Sequence, residues 1–293
     1  MKIGVAVLII ALTSLSVLAQ APTLRIVTET PGLPSELFYG NVKVKPVRLR
    51  PGTNTPITIN DVDFFVQEQY LDFLGRFPDS LGFAGWMQTL GNCPNGGYGE
   101  FDNPNCDRVH VSAGFYQSDE FLGRGFWAYK FYAVAFNRRP LYAEFIPDMV
   151  RVGGAQSPAS EQTSKAAYTT DFALRPEFVA FSNANPTNAG YVNALEANAE
   201  VTLSNKQALI DALNAGTKTR TQVLREIVES QAVEDKFSIR AFVAMQYFGY
   251  LRRDPDTDGY NGWVTTLTNN PSDLRHMIFG FIYSSEYRTR FGP

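Results

Sequence analysis

The chain has 293 residues, 44% hydrophobic and 13% aromatic against 19% charged, a balance that supplies apolar surface for one or two packed cores and excludes disorder over most of its length. Its formal charge of -3, from 26 basic and 29 acidic residues without long single-sign blocks, argues against a general nucleic-acid binder. Two His and two Cys leave little material for a metal site or His-dependent catalysis, so no metal, cofactor or catalytic residue is assigned.

The first segment reads as a targeting signal. Lys2 gives a short positive region, Ile3 to Leu18 an apolar stretch, and Val17-Leu18-Ala19 the small-residue pattern that signal peptidase accepts, so residues 1–19 are expected to leave and Gln20 to come first. The apolar stretch is shorter than the roughly 20 residues that span a bilayer. No Cys follows the cleavage point and no later stretch approaches membrane-spanning length. The expected localisation is therefore secreted, whether extracellular, periplasmic or held at the cell surface.

Residues 20–60 are rich in Pro, Thr and β-branched side chains. Leu24-Arg25-Ile26-Val27-Thr28 and Asn41-Val42-Lys43-Val44-Lys45 read as strands. Alternation places Val42 and Val44 on one face and slips at Pro46, so that Val47 and Leu49 continue it after a bulge or along an edge. Lys43, Lys45, Arg48 and Arg50 then cluster on the other side. A solvated, edge-protecting face accounts for them more simply than a contact with anionic glycan or lipid headgroups.

Beyond Asn60 the period becomes helical. Val62, Phe65, Val66, Tyr70, Phe73 and Leu74 recur at three- and four-residue intervals behind Asn60 or Asp61 as N-cap. This helix should stop before Pro78, and a second one carries Phe83, Trp86 and Leu90. Cys93 and Cys106 then bracket a Gly-, Asn- and Pro-rich segment. In an oxidising compartment two such cysteines most simply pair, and closing a loop of this length contributes on the order of 3 kcal/mol. Their spacing is not the Cys-x-x-Cys arrangement of a redox-active pair.

Internal repetition is the most informative feature. Phe65, Val66, Gln69, Tyr70, Leu74, Arg76, Pro78, Asp79, Gly82, Gly85, Trp86, Thr89 and Leu90 recur without a gap as Phe242, Val243, Gln246, Tyr247, Leu251, Arg253, Pro255, Asp256, Gly259, Gly262, Trp263, Thr266 and Leu267. Each copy closes on a second phrase, Phe115-x-x-Ser118-x-Glu120-Phe121 and Phe281-x-x-Ser284-x-Glu286-Tyr287, and the extra length in the first copy is the cysteine loop. A weaker copy keeps Tyr132, Phe136, Arg138 and Pro140 and leads to Arg175-Pro176-Glu177-Phe178. The weakest begins at Tyr191-Val192-Asn193-Ala194-Leu195 and passes through Leu209, Ile210 and Leu213, then Val223, Leu224 and Ile227, to Phe237. The expected architecture is mainly α: four helical units of roughly 50 residues over 61–122, 123–180, 188–237 and 238–293, preceded by the β-rich segment.

At these residues the chain resembles the bacterial domain of unknown function 4214. The hallmarks are a Phe-Val-x-x-x-Tyr helix, then Leu-x-Arg-x-Pro-Asp-x-x-Gly-x-x-x-Trp, then Ser-x-Glu-Phe, here Phe65 to Trp86 with Ser118 to Phe121, and Phe242 to Trp263 with Ser284 to Tyr287. The match is partial in the second unit and degenerate in the third. The resemblance implies an all-helical module found in exported and cell-surface proteins, distantly similar to phycobilisome linker domains, and brings no catalytic residues.

Arg and Glu recur together. Arg76, Arg138 and Arg253 stand two residues before the turn Pro, and the same units close on Glu120, Glu177 and Glu286 before an aromatic. In the third unit, aligning Tyr191 with Phe65 puts Thr202 at the Arg position, and Lys236 precedes the closing Phe237. Joint retention and joint loss point to a bidentate pair between the end of the first helix and the last helix, buried enough that a lone partner would cost roughly 3 to 5 kcal/mol; surface residues that match through recent duplication are the alternative.

Other motifs carry less. Asp254-Pro255-Asp256-Thr257-Asp258-Gly259 opens like a calcium loop, but Thr265 stands where a bidentate Glu belongs. No Gly-x-Ser-x-Gly elbow is present, and His110 and His276 lie in amphipathic stretches as structural residues. Trp86, Trp127 and Trp263 read as core before they read as sugar platforms. The sequence favours a non-enzymatic exported module that binds an unidentified protein or glycan, or mediates assembly, at the cell envelope or outside it. A polysaccharide-processing enzyme such as a glycoside hydrolase, with two carboxylates in a groove between units, is the alternative. Intact-mass measurement of the exported protein should give a chain that begins at Gln20; a retained leader contradicts the signal-peptide reading.

Overall fold

A computed structural model describes residues 55–99, 103–153 and 158–291 continuously, together with 24–27, 36–39, 42–44, 48–50 and 52–53. The expected signal peptide, residues 1–19, lies outside the described residues, as do Pro46 and Val47, where the sequence predicts a bulge. Two small antiparallel sheets precede the helices. β1 (Leu24–Val27), β2 (Glu36–Tyr39) and β3 (Val42–Val44) follow one another in order, with Leu24 opposite Tyr39 and Leu37 opposite Val44. β2 goes beyond the sequence reading because Glu36-Leu37-Phe38-Tyr39 has no clean alternation. β4 (Arg48–Leu49) pairs with β5 (Pro56–Ile57).

The remaining elements form four repeats, each with an opening, a second, a third and a closing helix. The first contains α1 (Val62–Gln69), prolonged by a π-turn over Tyr70–Leu74, then α2 (Ser80–Gly91), α3 (Arg108–Tyr116) and α4 (Asp119–Phe121). The second contains α5 (Trp127–Phe136), α6 (Tyr142–Gly153), α7 (Pro158–Ala173) and α8 (Pro176–Ala184). The third has α9 (Asn188–Ala199), α10 (Lys206–Asn214), α11 (Arg220–Val228) and the first turn of α12 (Gln231–Gln246). The fourth opens with α12 itself, prolonged by a π-turn over Tyr247–Leu251, and ends with α13 (Thr257–Asn269), α14 (Leu274–Ile282) and α15 (Ser285–Thr289). Through a π-turn at Leu122–Phe126, α4 runs on into α5. At these two boundaries one helix closes a repeat and opens the next; at the other, α8 ends at Ala184 and α9 starts at Asn188, and all four repeats share a single hydrophobic core. Arg50 does not belong to an open basic face: it binds Asp61 at 2.8 Å and Asp63 at 2.7 Å, at the start of α1.

Every opening helix stops on a left-handed residue, Gly75, Asn137, Glu200 or Arg252, with φ of 64°, 50°, 51° and 53°. Gly and Asn adopt this conformation readily; Glu and Arg do so at a cost of order 1 kcal/mol. Glu200 is tied to Lys236 at 3.1 Å and Arg252 to Asp72 at 3.1 Å, contacts that help hold those two residues there. These terminators also fix the register of the third repeat. Counted back from them, Leu195 takes the place of Tyr70, Tyr132 and Tyr247, and Val201, not Thr202, takes the place of Arg76. The one-residue difference coincides with a π-turn in α1 that α9 lacks.

The closing phrase of the third repeat also moves. The hydroxyls of Ser118, Ser230 and Ser284 donate to the carbonyls of Phe115, Ile227 and Phe281 at 2.7, 2.7 and 2.8 Å, and each Ser begins a helix. The third repeat therefore closes at Ser230-Gln231-Ala232-Val233, ahead of the expected Phe237, and Ala232 stands in the Glu position.

The first and last repeats pack against each other. Phe73 and Tyr250, equivalent positions in the two copies, meet edge to face with ring centroids 5.1 Å apart, and α3 lies against α14. Beside them Asp72, its side chain 1% exposed, accepts from Arg252 at 3.1 Å and Arg290 at 2.8 Å, while Arg290 also donates to the Tyr250 carbonyl at 2.6 Å. Cys93 and Cys106 are bonded to each other with Cα atoms 5.5 Å apart. Arg108, fully buried just after the loop, donates to the carbonyls of Ile59, at 2.6 Å, and Asn60, so the insertion is anchored to the entrance of α1. Among the described residues no helix is long and apolar enough to cross a membrane.

Among the described residues, removing Asp72 would leave Glu68, 3.9 Å from each, as the carboxylate nearest Arg252 and Arg290. In chemical denaturation Asp72→Ala should lose about 3 kcal/mol, whereas Asp79→Ala, which removes a largely exposed cap, should lose about 1 kcal/mol.

Candidate functional site

The repeated residues converge on one small structure. In the first repeat Arg76 Nε and Nη2 donate to the two oxygens of Glu120, both at 2.7 Å, while the guanidinium lies 5.0 Å from the centre of the Tyr70 ring. In the fourth, Arg253 donates to Glu286 at 2.6 and 3.0 Å and lies 5.3 Å from Tyr247. In the second, Arg138 donates to Glu177 at 3.3 and 2.8 Å and lies 5.1 Å from Tyr132. The arginine fork matches a carboxylate bidentately and its flat face stacks on an aromatic ring, so one side chain ties the opening helix to the closing one. In the third repeat Leu195, Val201 and Ala232 replace all three partners.

The rest of the motif serves this clasp. Pro78, Pro140 and Pro255 prevent the opening helix from continuing. Asp79 and Asp256 then cap α2 and α13, accepting from the N–H of Gly82 at 2.8 Å and of Gly259 at 2.7 Å. A side chain at those glycines would have its Cβ 2.2 Å from the Tyr70 hydroxyl and 2.4 Å from that of Tyr247. The second repeat solves the same problem differently. Glu144 stands in the Gly position, accepts from the Leu141 N–H at 2.7 Å and binds Arg138 at 2.8 and 2.9 Å. Burial pushes the Glu144 carboxyl up, but Arg138 and that N–H together hold it below the usual carboxylate range.

The clasps are less buried than the sequence reading requires. Arg76 and Glu120 are 35% and 22% exposed, Arg253 and Glu286 41% and 48%. Solvent weakens such pairs, so each contributes about 1 kcal/mol instead of the larger value expected for a buried pair. Trp86 is half-buried and stacks on Phe115 with centroids 5.4 Å apart. Trp127 is buried and donates to Glu229 at 2.9 Å, and Trp263 is half-buried against the core. His110 is half-buried, but His276 is exposed on α14. Of the carboxylates in the Asp254 turn, Asp254 accepts from the Tyr142 N–H at 2.8 Å and Asp256 is the cap of α13. Among the described residues no group of three or more His, Cys, Asp or Glu side chains is placed to hold a metal ion.

Clefts between helices include the following two. A small apolar one of about 150 Å³ is bounded by Tyr116, Ile239, Phe242 and Leu274. A larger one of about 320 Å³ opens where the end of α5 meets α12 and α13, and its walls include Arg138, Arg139 and Arg240 but no carboxylate. Single-sequence reasoning passed over Arg139 and Arg240 because neither recurs. Asp72 and Arg290 were missed for the same reason, since Gly249 occupies the position equivalent to Asp72.

The Arg253 guanidinium holds the Glu286 carboxyl below the usual carboxylate range. A carboxyl depressed in the folded state adds stability that is present above its unfolded value, about 4.3, and lost as pH falls through the folded one. Glu286→Gln should therefore reduce stability at pH 7 and flatten its decline below about pH 4, as measured by denaturation across pH. No curated protein and no solved structure matches the chain. Residues 231–291, which are α12 and the fourth repeat that it opens, match the model of the family described as Domain of unknown function (DUF4214).

Proposed function

We propose that the protein is an exported, non-enzymatic helical module that binds a partner, or mediates assembly, at the cell envelope or outside the cell. One observation carries this reading: the residues that recur between repeats are engaged in clasps and caps that hold each repeat shut, so what is repeated is a scaffold. A rigid set of repeats sharing core across their boundaries offers fixed clefts to a partner at little cost in ordering. The leader-like residues 1–19 and the Cys93–Cys106 bond both suit an oxidising, exported setting.

The test is affinity capture from the native envelope and secreted fractions with the full mature chain, accompanied by a glycan array and by assays of polysaccharide turnover. Specific retention of one protein or glycan without its conversion is the expected result. Catalytic cleavage of a polysaccharide, or failure of the chain to leave the cytoplasm, would overturn the reading.

A further inference from the structure

The larger cleft carries a charge pattern that the scaffold does not use. It lies between the second and fourth repeats, at the turn where Arg139-Pro140 meets Asp254-Pro255. Three guanidinium groups line it, and they differ in how far they are satisfied. Arg138 is matched by Glu144 and Glu177 and belongs to its clasp. Among the described residues the carboxylate near Arg240 is Glu200, at a long 3.7 Å, and the nearer partner of Glu200 is Lys236 at 3.1 Å; the guanidinium also lies 5.7 Å from the Phe237 ring centre. Among the described residues Arg139 has no carboxylate within ion-pair distance. It donates from Nη2 to the Pro255 carbonyl at 3.0 Å and lies 4.7 Å from the Tyr260 ring centre, and its Nε is buried with no hydrogen-bond partner.

A buried donor on a cation is costly when no acceptor reaches it. The half-buried Arg139 side chain lines a cleft whose lining residues include no carboxylate. The other polar groups there are neutral: the hydroxyls of Tyr129 and Tyr260, 3.4 Å apart, and the side chains of Asn137 and Asn261. Cationic forks beside neutral donors and acceptors, on aromatic walls, suit an oxoanion attached to a polar, hydroxylated body. The volume, about 320 Å³, is at the lower end of small-molecule sites. That size admits one sugar-sized unit.

We propose that this cleft binds a carboxylate or phosphate group carried on a ligand of monosaccharide size, with Arg139 and Arg240 holding the anion and Asn137 and Asn261 contacting the remainder. The assignment rests on reading the protein as a binding module and names the chemistry of one site in it. The pseudo-equivalent turn of the first repeat has Phe77 where Arg139 stands, so the site occurs once and is not a by-product of the repeat.

The test is titration of the isotope-labelled mature chain, followed by amide NMR, with glucuronate, glucose 6-phosphate, inorganic phosphate and neutral glucose. Glucuronate or glucose 6-phosphate should shift the signals of Asn137, Tyr260 and Asn261, and glucose should not. Stronger binding of glucuronate assigns the site to an acidic sugar, and stronger binding of glucose 6-phosphate or inorganic phosphate assigns it to a phosphate. Arg139→Gln and Arg240→Gln should each weaken the bound anion about tenfold, while Lys218→Gln, on the third repeat, should not. Because Arg139 also contacts the Pro255 carbonyl, Arg240→Gln, checked for an unchanged near-UV spectrum, carries the test if Arg139→Gln unfolds. The proposal is overturned if no anion binds up to about 10 mM, if glucose binds equally well, or if Arg240→Gln binds the anion as the wild type does. Such a failure alongside successful envelope capture rejects this site alone, whereas turnover of a sugar polymer rejects the module reading.

Discussion

A guanidinium held between a tyrosine ring and a carboxylate is the contact around which the recurring motif of three of the four repeats is built. Arg76, Arg138 and Arg253 each come from the end of an opening helix and reach a glutamate on the closing helix. Once that geometry is required, the neighbouring residue types follow. The opening helix must stop, so a left-handed residue and a Pro stand on either side of the Arg. The tyrosine hydroxyl must reach the N-terminus of the second helix, so Gly82 and Gly259 leave it room. An Asp then caps that helix beside the same hydroxyl. The phrase from Tyr to Gly is one mechanical part whose members are coupled by contact.

Much of this was legible in the sequence because it occurs more than once. The constant offset between Phe65 and Phe242, the shared closing phrase and the joint loss of Arg and Glu in one unit expose the repeats, the cysteine insertion and the clasp partners. What periodicity handled poorly was register. The π-turn in α1 and its absence from α9 displace the third repeat by one residue, and its closing phrase, reduced to Ser230 and Val233, carries no aromatic to mark it. Interactions made only once were invisible. Asp72 with Arg290, and Arg139 in its cleft, join residues distant in sequence whose equivalents in other repeats are different residues, so a single chain offers no pattern from which to infer them.

Two levels of cohesion result. Within a repeat the half-exposed clasp joins the first helix to the last and contributes modestly. Between repeats, α4 continues into α5 and α12 serves two repeats, so two of the three boundaries are crossed by one helix, and the buried Asp72 group fastens the last repeat to the first. This arrangement brings the second and fourth repeats side by side and creates the basic cleft at their meeting turns. The basic cleft thus lies where repeats differ, and the clasps where they agree.

The most direct measurement is a double-mutant cycle on Arg253 and Glu286, repeated on Arg76 and Glu120, with unfolding free energies from chemical denaturation. The account gives a favourable coupling of about 1 kcal/mol in each cycle, larger for Arg76 and Glu120 because that pair is less exposed. Single substitutions that add within about 0.3 kcal/mol in both cycles would show that the arginines and glutamates recur without acting on one another, and would contradict it.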